Sequence, residues 1–255
     1  MLAPFSLPSN PEIKIQLREM TAMEAMELSG VSPNHEEALT TSFLNATQSP
    51  DQYSNSAQWT GDDRRFALYW YALHTLNDRI LSIPYDCPHC KQPHVHNFDL
   101  QLLAENYQEM KGRPYRELDG WRVVPLSGEA LERLEELRMV LTDLKPDSND
   151  YRRQAAVIRF ETLAEQLTKP NDLEKDDEKR RANVREVLAG LPISRYEKLR
   201  DDVTALQKEM THGLQSTVSN GRILLTTPPH QCPDNREVTT ALQLPFRYQH
   251  YIPGL

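Results

Sequence analysis

The first regular signal along the chain is the alternation of Ile13, Ile15 and Leu17 with Lys14, Gln16 and Arg18, which predicts a strand with one buried face. The preceding residues 1–12, rich in Pro and Ser, read as an extended arm. Thr21 followed three positions on by Glu24 is a capping-box pattern, and it starts a predicted helix over 22–28 that Ser29-Gly30 ends. Leu39, Phe43 and Leu44 form a helical stripe within 36–46, and the polar run 47–56 reads as a loop. Thr60, Asp62 and Asp63 suit the start of the next helix, as a cap and as acids at the positive end of the dipole. From Phe66 through Leu68, Tyr69, Trp70, Tyr71, Leu73 and Leu76 to Ile80 that helix is apolar on nearly all sides, the pattern of a buried central helix. No basic residues interleave its aromatics, so they read as core and not as a base-stacking platform.

Residues 83–100 alternate as a β-hairpin whose tip carries Cys87 and Cys90. A short helix over 101–110 and a strand over 121–124 follow. Across 128–216 the apolar positions thin to narrow stripes. Leu131, Leu134, Leu137, Val140, Leu141 and Leu144 share one face; Ala155, Ala156, Ile158, Leu163 and Leu167 share another; Tyr196, Leu199, Val203, Leu206 and Met210 share a third. Such stripes are seams for a partner helix, separated here by densely charged surface. The β character returns at 222–225 and again over 238–244, on either side of the Pro-rich turn 228–233. Phe246–Leu255 is aromatic and apolar and is expected to dock onto something. The pattern as a whole predicts an α+β fold, mostly helical. Its small antiparallel β core would be formed by the N-terminal/middle and C-terminal segments (1–127 and 217–255). A helical-hairpin, coiled-coil-like insertion would occupy 128–216.

Composition narrows the classes. The 255 residues carry 37 acidic and 29 basic side chains, and a net charge of −8 leaves no basic stripe for nucleic acid. No apolar run is long enough to cross a membrane, and the N-terminus lacks the basic-then-apolar order of a secretory signal. With 9 glycines among 255 residues, glycine-rich phosphate loops are nearly excluded by supply, and no phosphate-loop, nucleophile-elbow or zinc-protease motif occurs. No catalytic set emerges, so the reading is non-enzymatic. A mean hydropathy of −0.65 implies much surface per residue, as in an elongated shape, protruding helices or a subunit of a larger assembly.

Chemistry concentrates in three cysteines, an odd number that argues against a disulfide framework. Cys87-Pro88-His89-Cys90 has zinc-knuckle spacing, in which a tight turn aims both sulfurs at one point. Cys232 lies in the similar turn His230-Gln231-Cys232-Pro233. A structural zinc needs four ligands, which predicts Cys87, Cys90, Cys232 and one histidine, with His230 placed ahead of His94, His96 and His89. Two other readings of the thiols stand beside it: reduced thiols that bind nothing, or a redox pair.

The string Leu17-Arg-Glu-Met-Thr-Ala-Met-Glu-Ala-Met-Glu-Leu28 and the Trp59-Thr60…Arg64-Arg65 helix start resemble tailed-phage tail morphogenesis proteins, in particular the T-even-type base plate hub family. So do the Cys-Pro-x-Cys turn with its strand ending at Asp99-Leu100, and the aromatic C-terminal segment ending in Pro253-Gly254. The resemblance spans about 13–100 and 222–255. It implies a virion structural component or tail assembly factor, in the host cytoplasm during assembly. Its partners would be other tail and baseplate proteins in a hetero-oligomer. It carries over no catalytic residue. The alternatives are a zinc-ribbon binding or adaptor module with a helical arm and, behind it, a metal-dependent hydrolase.

Overall fold

The computed structural model describes residues 1–30, 32, 34–170, 174, 176–219 and 222–244. β1 (Phe5–Leu7) and β2 (Asn10–Ile15) pair antiparallel, so the segment expected to be an extended arm is a folded hairpin. Its apolar residues have a place in the core. Phe5, Leu7, Ile15 and Leu17 are buried, and the Phe5 ring meets Phe66 edge-on at 5.5 Å. α1 (Ala22–Ser29) starts at the expected capping box of Thr21 and Glu24. α2 (Glu36–Thr47) buries Leu39, Phe43 and Leu44 as its stripe requires, and two short 3-10 turns occupy Pro50–Gln52 and Ser56–Gln58.

α3 (Gly61–Thr75) is the central helix. Thr60 Oγ1 accepts from the Asp63 N–H, the Asp63 carboxylate accepts from the Thr60 N–H, and Phe66, Ala67, Leu68, Tyr69, Tyr71 and Ala72 are all buried. The helix ends at Thr75 and does not run on to Ile80, which opens β3 (Ile80–Asp86). β3 pairs with β4 (Pro93–Asp99) over its whole length, with Tyr85 opposite His94 and Asp86 opposite Pro93. A 3-10 stretch, Leu100–Asn106, stands where a short helix is expected, and β5 (Arg116–Leu118) and β6 (Trp121–Val123) follow.

The helical stretch comprises α4 (Gly128–Thr142), α5 (Asn149–Glu165), α6 (Asp177–Ala189) and α7 (Ile193–Glu209). Among the described residues it is joined to the rest at several places. The first half of α4 packs on α2 and α3, burying Leu131 and Leu134. β7 (Leu167–Thr168), inserted between α5 and α6, pairs with β6. The apolar seams of these helices form a second hydrophobic cluster, in which Leu163, Val184, Leu188, Leu199, Val203 and Met210 close over Val123 and Leu167. Each such side chain contributes roughly 1.5–3 kcal/mol by leaving water. Arg133 braces α4 to α5 through a two-pronged contact with Glu165 at 3.0 and 2.8 Å.

The chain then returns in β8 (Ser216–Ser219), β9 (Arg222–Thr226), β10 (His230–Gln231), β11 (Thr239–Thr240) and β12 (Gln243–Leu244). β9 lies between β8 and β12, and β10 pairs with β11. Leu225 and Leu244 join the first cluster beside α3. The architecture is α+β with small antiparallel sheets. The expected docking of Phe246–Leu255 lies outside the described residues, and among the described residues no helix is long and apolar enough to cross a membrane.

Candidate metal centre

Two hairpins converge to make the site. In the first, β3 delivers Cys87 into a turn closed by Cys87 N–H donating to Gln92 O (3.0 Å) and Lys91 N–H donating to Cys87 O (2.9 Å). Lys91 sits at φ 62°, the left-handed conformation that reverses the chain into β4. In the second, β10 delivers Cys232 into a turn closed by Cys232 N–H donating to Val238 O (3.0 Å) and Asn235 N–H donating to Cys232 O (3.3 Å). Proline follows the leading cysteine in both turns, at Pro88 and Pro233, and fixes φ there.

The turns bring together thiols separated by 145 residues. The Cys87 and Cys232 sulfurs are 3.5 Å apart, and the sulfurs of Cys87, Cys90 and Cys232 all lie within 4.8 Å of one another. Two sulfurs on one tetrahedral zinc at Zn–S 2.3 Å stand about 3.8 Å apart, so the observed cluster has the dimensions the ion requires. Cys87 and Cys232 are buried, whereas Cys90 is half-buried. The three thiols do not ionise alike. The backbone N–H of Cys90, opposed by burial and helped by that of His89, holds the Cys87 thiol below its usual range. Burial lifts the Cys90 thiol to about 11, against the pull of the Gln92 N–H. A cation placed among them would favour the thiolate at every position, because thiolate is the form that binds metal.

The histidines distribute differently from the expectation. His94 Nε2 lies 3.1 Å from Cys90 Sγ and 3.6 Å from Asp234 Oδ2, and Cys90, His94 and Asp234 form a second group of ligand atoms within 4.8 Å. His230, placed first from the sequence, is outside both groups. Its Nε2 is 3.0 Å from Tyr85 Oη, and its ring stacks on His96 at 4.0 Å. It lies in β10, opposite Thr240, on the flank where Tyr85 and His96 occupy its ring. His89 is engaged as well, with Nε2 3.1 Å from Thr239 O, which ties the first turn to β11. Asp234 was not anticipated as part of the site. The signal for His94 was its spacing from Cys90, C-x-x-C-x-x-x-H, on a hairpin short enough to fold residue 94 back beside residue 90.

Three cysteines therefore form a cluster that can hold a metal ion, with a nitrogen and a carboxylate next to Cys90. No protein family, curated protein or solved structure matches the chain.

Proposed function

We propose that this chain is a non-enzymatic assembly protein, a structural component or assembly factor of a tailed-phage baseplate or tail hub, in which a structural zinc braces the fold and function resides in protein–protein contacts. The observation that carries the reading is the buried pair Cys87 and Cys232, 3.5 Å apart and 145 residues apart in sequence. A metal held there pins the β3–β4 hairpin to the C-terminal strands across the whole helical stretch, which is what a structural ion does most effectively. Such an ion is enclosed by protein ligands, whereas a catalytic zinc keeps a position for water or substrate. The phage assignment is supported by the strings at 17–28, 59–65 and 87–100 that resemble base plate hub proteins. Aliphatic side chains left exposed on the helices, Val140, Val157, Val187 and Ile193, suit a protein that works in contact with neighbours.

Two measurements test the proposal. Metal analysis of the purified full chain should find one zinc per chain, lost in Cys87→Ser and Cys232→Ser; absence of zinc from the unsubstituted chain refutes the brace. Mass spectrometry of purified particles from a phage encoding the chain should find it at a fixed ratio to tail proteins. Its absence from both particles and tail-assembly intermediates refutes the phage reading and leaves the zinc-ribbon adaptor as the alternative.

A further inference from the structure

The two cysteine turns match more closely than their cysteine content suggests. The first reads Cys87-Pro88-His89-Cys90 and the second Cys232-Pro233-Asp234-Asn235. Each follows the first strand of an antiparallel hairpin, β3 in one case and β10 in the other. The fourth residue is Cys90 in the first and Asn235 in the second, and Asn235 Oδ1 accepts from the N–H of Glu237, two residues on, at 3.1 Å. Asn235 thus stands in the second turn where Cys90 stands in the first.

Two such turns facing one another, each giving two thiolates, would make a closed four-sulfur site. Here the second turn gives only Cys232, because its fourth residue is the exposed Asn235, an amide and not a thiol. The missing ligand has a candidate among the histidines. His94 Nε2 is 3.1 Å from Cys90 Sγ, near the roughly 3.6 Å that separates sulfur and nitrogen on one tetrahedral zinc, but it does not lie within 4.8 Å of all three sulfurs, so sharing an ion with Cys87 and Cys232 needs its ring to turn toward them. Asp234 Oδ2, 3.6 Å from the same nitrogen, belongs to a side chain that is 54% exposed, so a carboxylate there is well hydrated and poorly held. An imidazole that is only 17% exposed and fixed in the register of β4 is the better-positioned donor.

Resting on the zinc reading above, we infer that the centre is a two-turn zinc ribbon in which Asn235 replaces the fourth thiol and His94 of the opposite hairpin supplies the fourth ligand, giving a Cys3His site of Cys87, Cys90, Cys232 and His94. Asp234 is then an outer partner and His230 is not a ligand.

The test uses the purified full chain, Zn2+ in competition with a chromophoric chelator, and Co2+ as a spectroscopic substitute. His94→Ala should weaken Zn2+ binding by more than the ~10–100-fold that loss of an outer partner costs, while Asp234→Asn stays within that range and His230→Ala below it. Asn235→Cys should restore tight binding in the His94→Ala background. With Co2+, the thiolate charge-transfer band of that double variant should strengthen from a three-sulfur to a four-sulfur intensity. Tight binding by His94→Ala together with a larger loss in Asp234→Asn or His230→Ala would overturn the ligand assignment while leaving the zinc reading intact. A folded Asn235→Cys/His94→Ala chain that gains neither affinity nor intensity would overturn the two-turn correspondence. An unsubstituted chain that takes up no zinc would overturn the metal centre itself.

Discussion

Substitution of Gly128 by alanine should destabilise this protein far more than one methyl group ordinarily does. Gly128 is the first residue of α4, where that helix crosses the start of α3. A Cβ at Gly128 would fall on Nη1 of Arg64, 2.8 Å from Arg64 Cζ and 2.9 Å from the carbonyl oxygen of Ser56. Arg64 is not a free end that can swing into solvent. Its side chain is 1% exposed, its Nη2 donates to Glu37 O at 2.5 Å, and it lies 3.4 Å from Glu37 and 3.9 Å from Glu132. Displacing it forfeits a charge-assisted hydrogen bond, about 1.5–3 kcal/mol. Overpacking a filled interior adds about 1–3 kcal/mol. A loss of roughly 3–5 kcal/mol follows, or on the order of 6–20 °C in Tm for a chain of this size. Gly190→Ala is the control, since a Cβ there meets only two carbonyl oxygens at 3.6 Å and φ is −82°. Urea and thermal unfolding of both variants decide the matter. A Gly128→Ala chain within ~0.5 kcal/mol of the unsubstituted protein would show that the α3–α4 crossing has room for the methyl group and that Arg64 is not pinned there.

Glu135 gives a pH signature. Burial, and then the nearby Glu37 charge, raise its carboxyl to about 7 although the Glu37 N–H donates to it. The folded value exceeds the unfolded one, so the stabilising effect is full below about pH 4.5 and is lost as pH rises through about 7. The group is partly exposed, which reduces the effect to the order of 1 kcal/mol. Glu135→Gln should flatten the change in urea midpoint between pH 5 and pH 8, and an unchanged slope refutes the assignment. Leu188→Ala, at a position 2% exposed in the second cluster, should cost about 2–5 kcal/mol. Hydrogen exchange should accelerate first in α5–α7 while α3 stays protected, and uniform acceleration would show that the two clusters open together.

The parts of the fold that were legible in the sequence are those set by local chemistry. The capping residues Thr21 and Thr60, the stripe of α2 and the seam Leu199–Val203–Met210 all follow from spacing within one turn or one face. What escaped depends on distant partners. Phe5 and Leu7 sit among prolines and read as an arm until the first cluster is there to bury them, with Phe66 and Trp70 against the Phe5 ring. β7 is a two-residue strand that exists only because β6 lies beside it. The same division runs through the candidate site. The three thiols were legible because Cys87 and Cys90 have C-x-x-C spacing and Cys232, like Cys87, leads from a strand into a proline turn. The choice among histidines was not, because it depends on the register that sets Tyr85 opposite His94 and on the contacts that engage His230 elsewhere.

The 145-residue separation of Cys87 and Cys232 also sets an order in time. A ribosome adding about 5–20 residues per second makes Cys232 roughly 7–30 s after Cys87. Through that interval the first turn can offer an ion only its own ligands, while the chain of α4–α7 is made before the last thiol exists. Any ion the three thiols hold is therefore captured late in the life of the nascent chain, after the sequence of the helical stretch has been made.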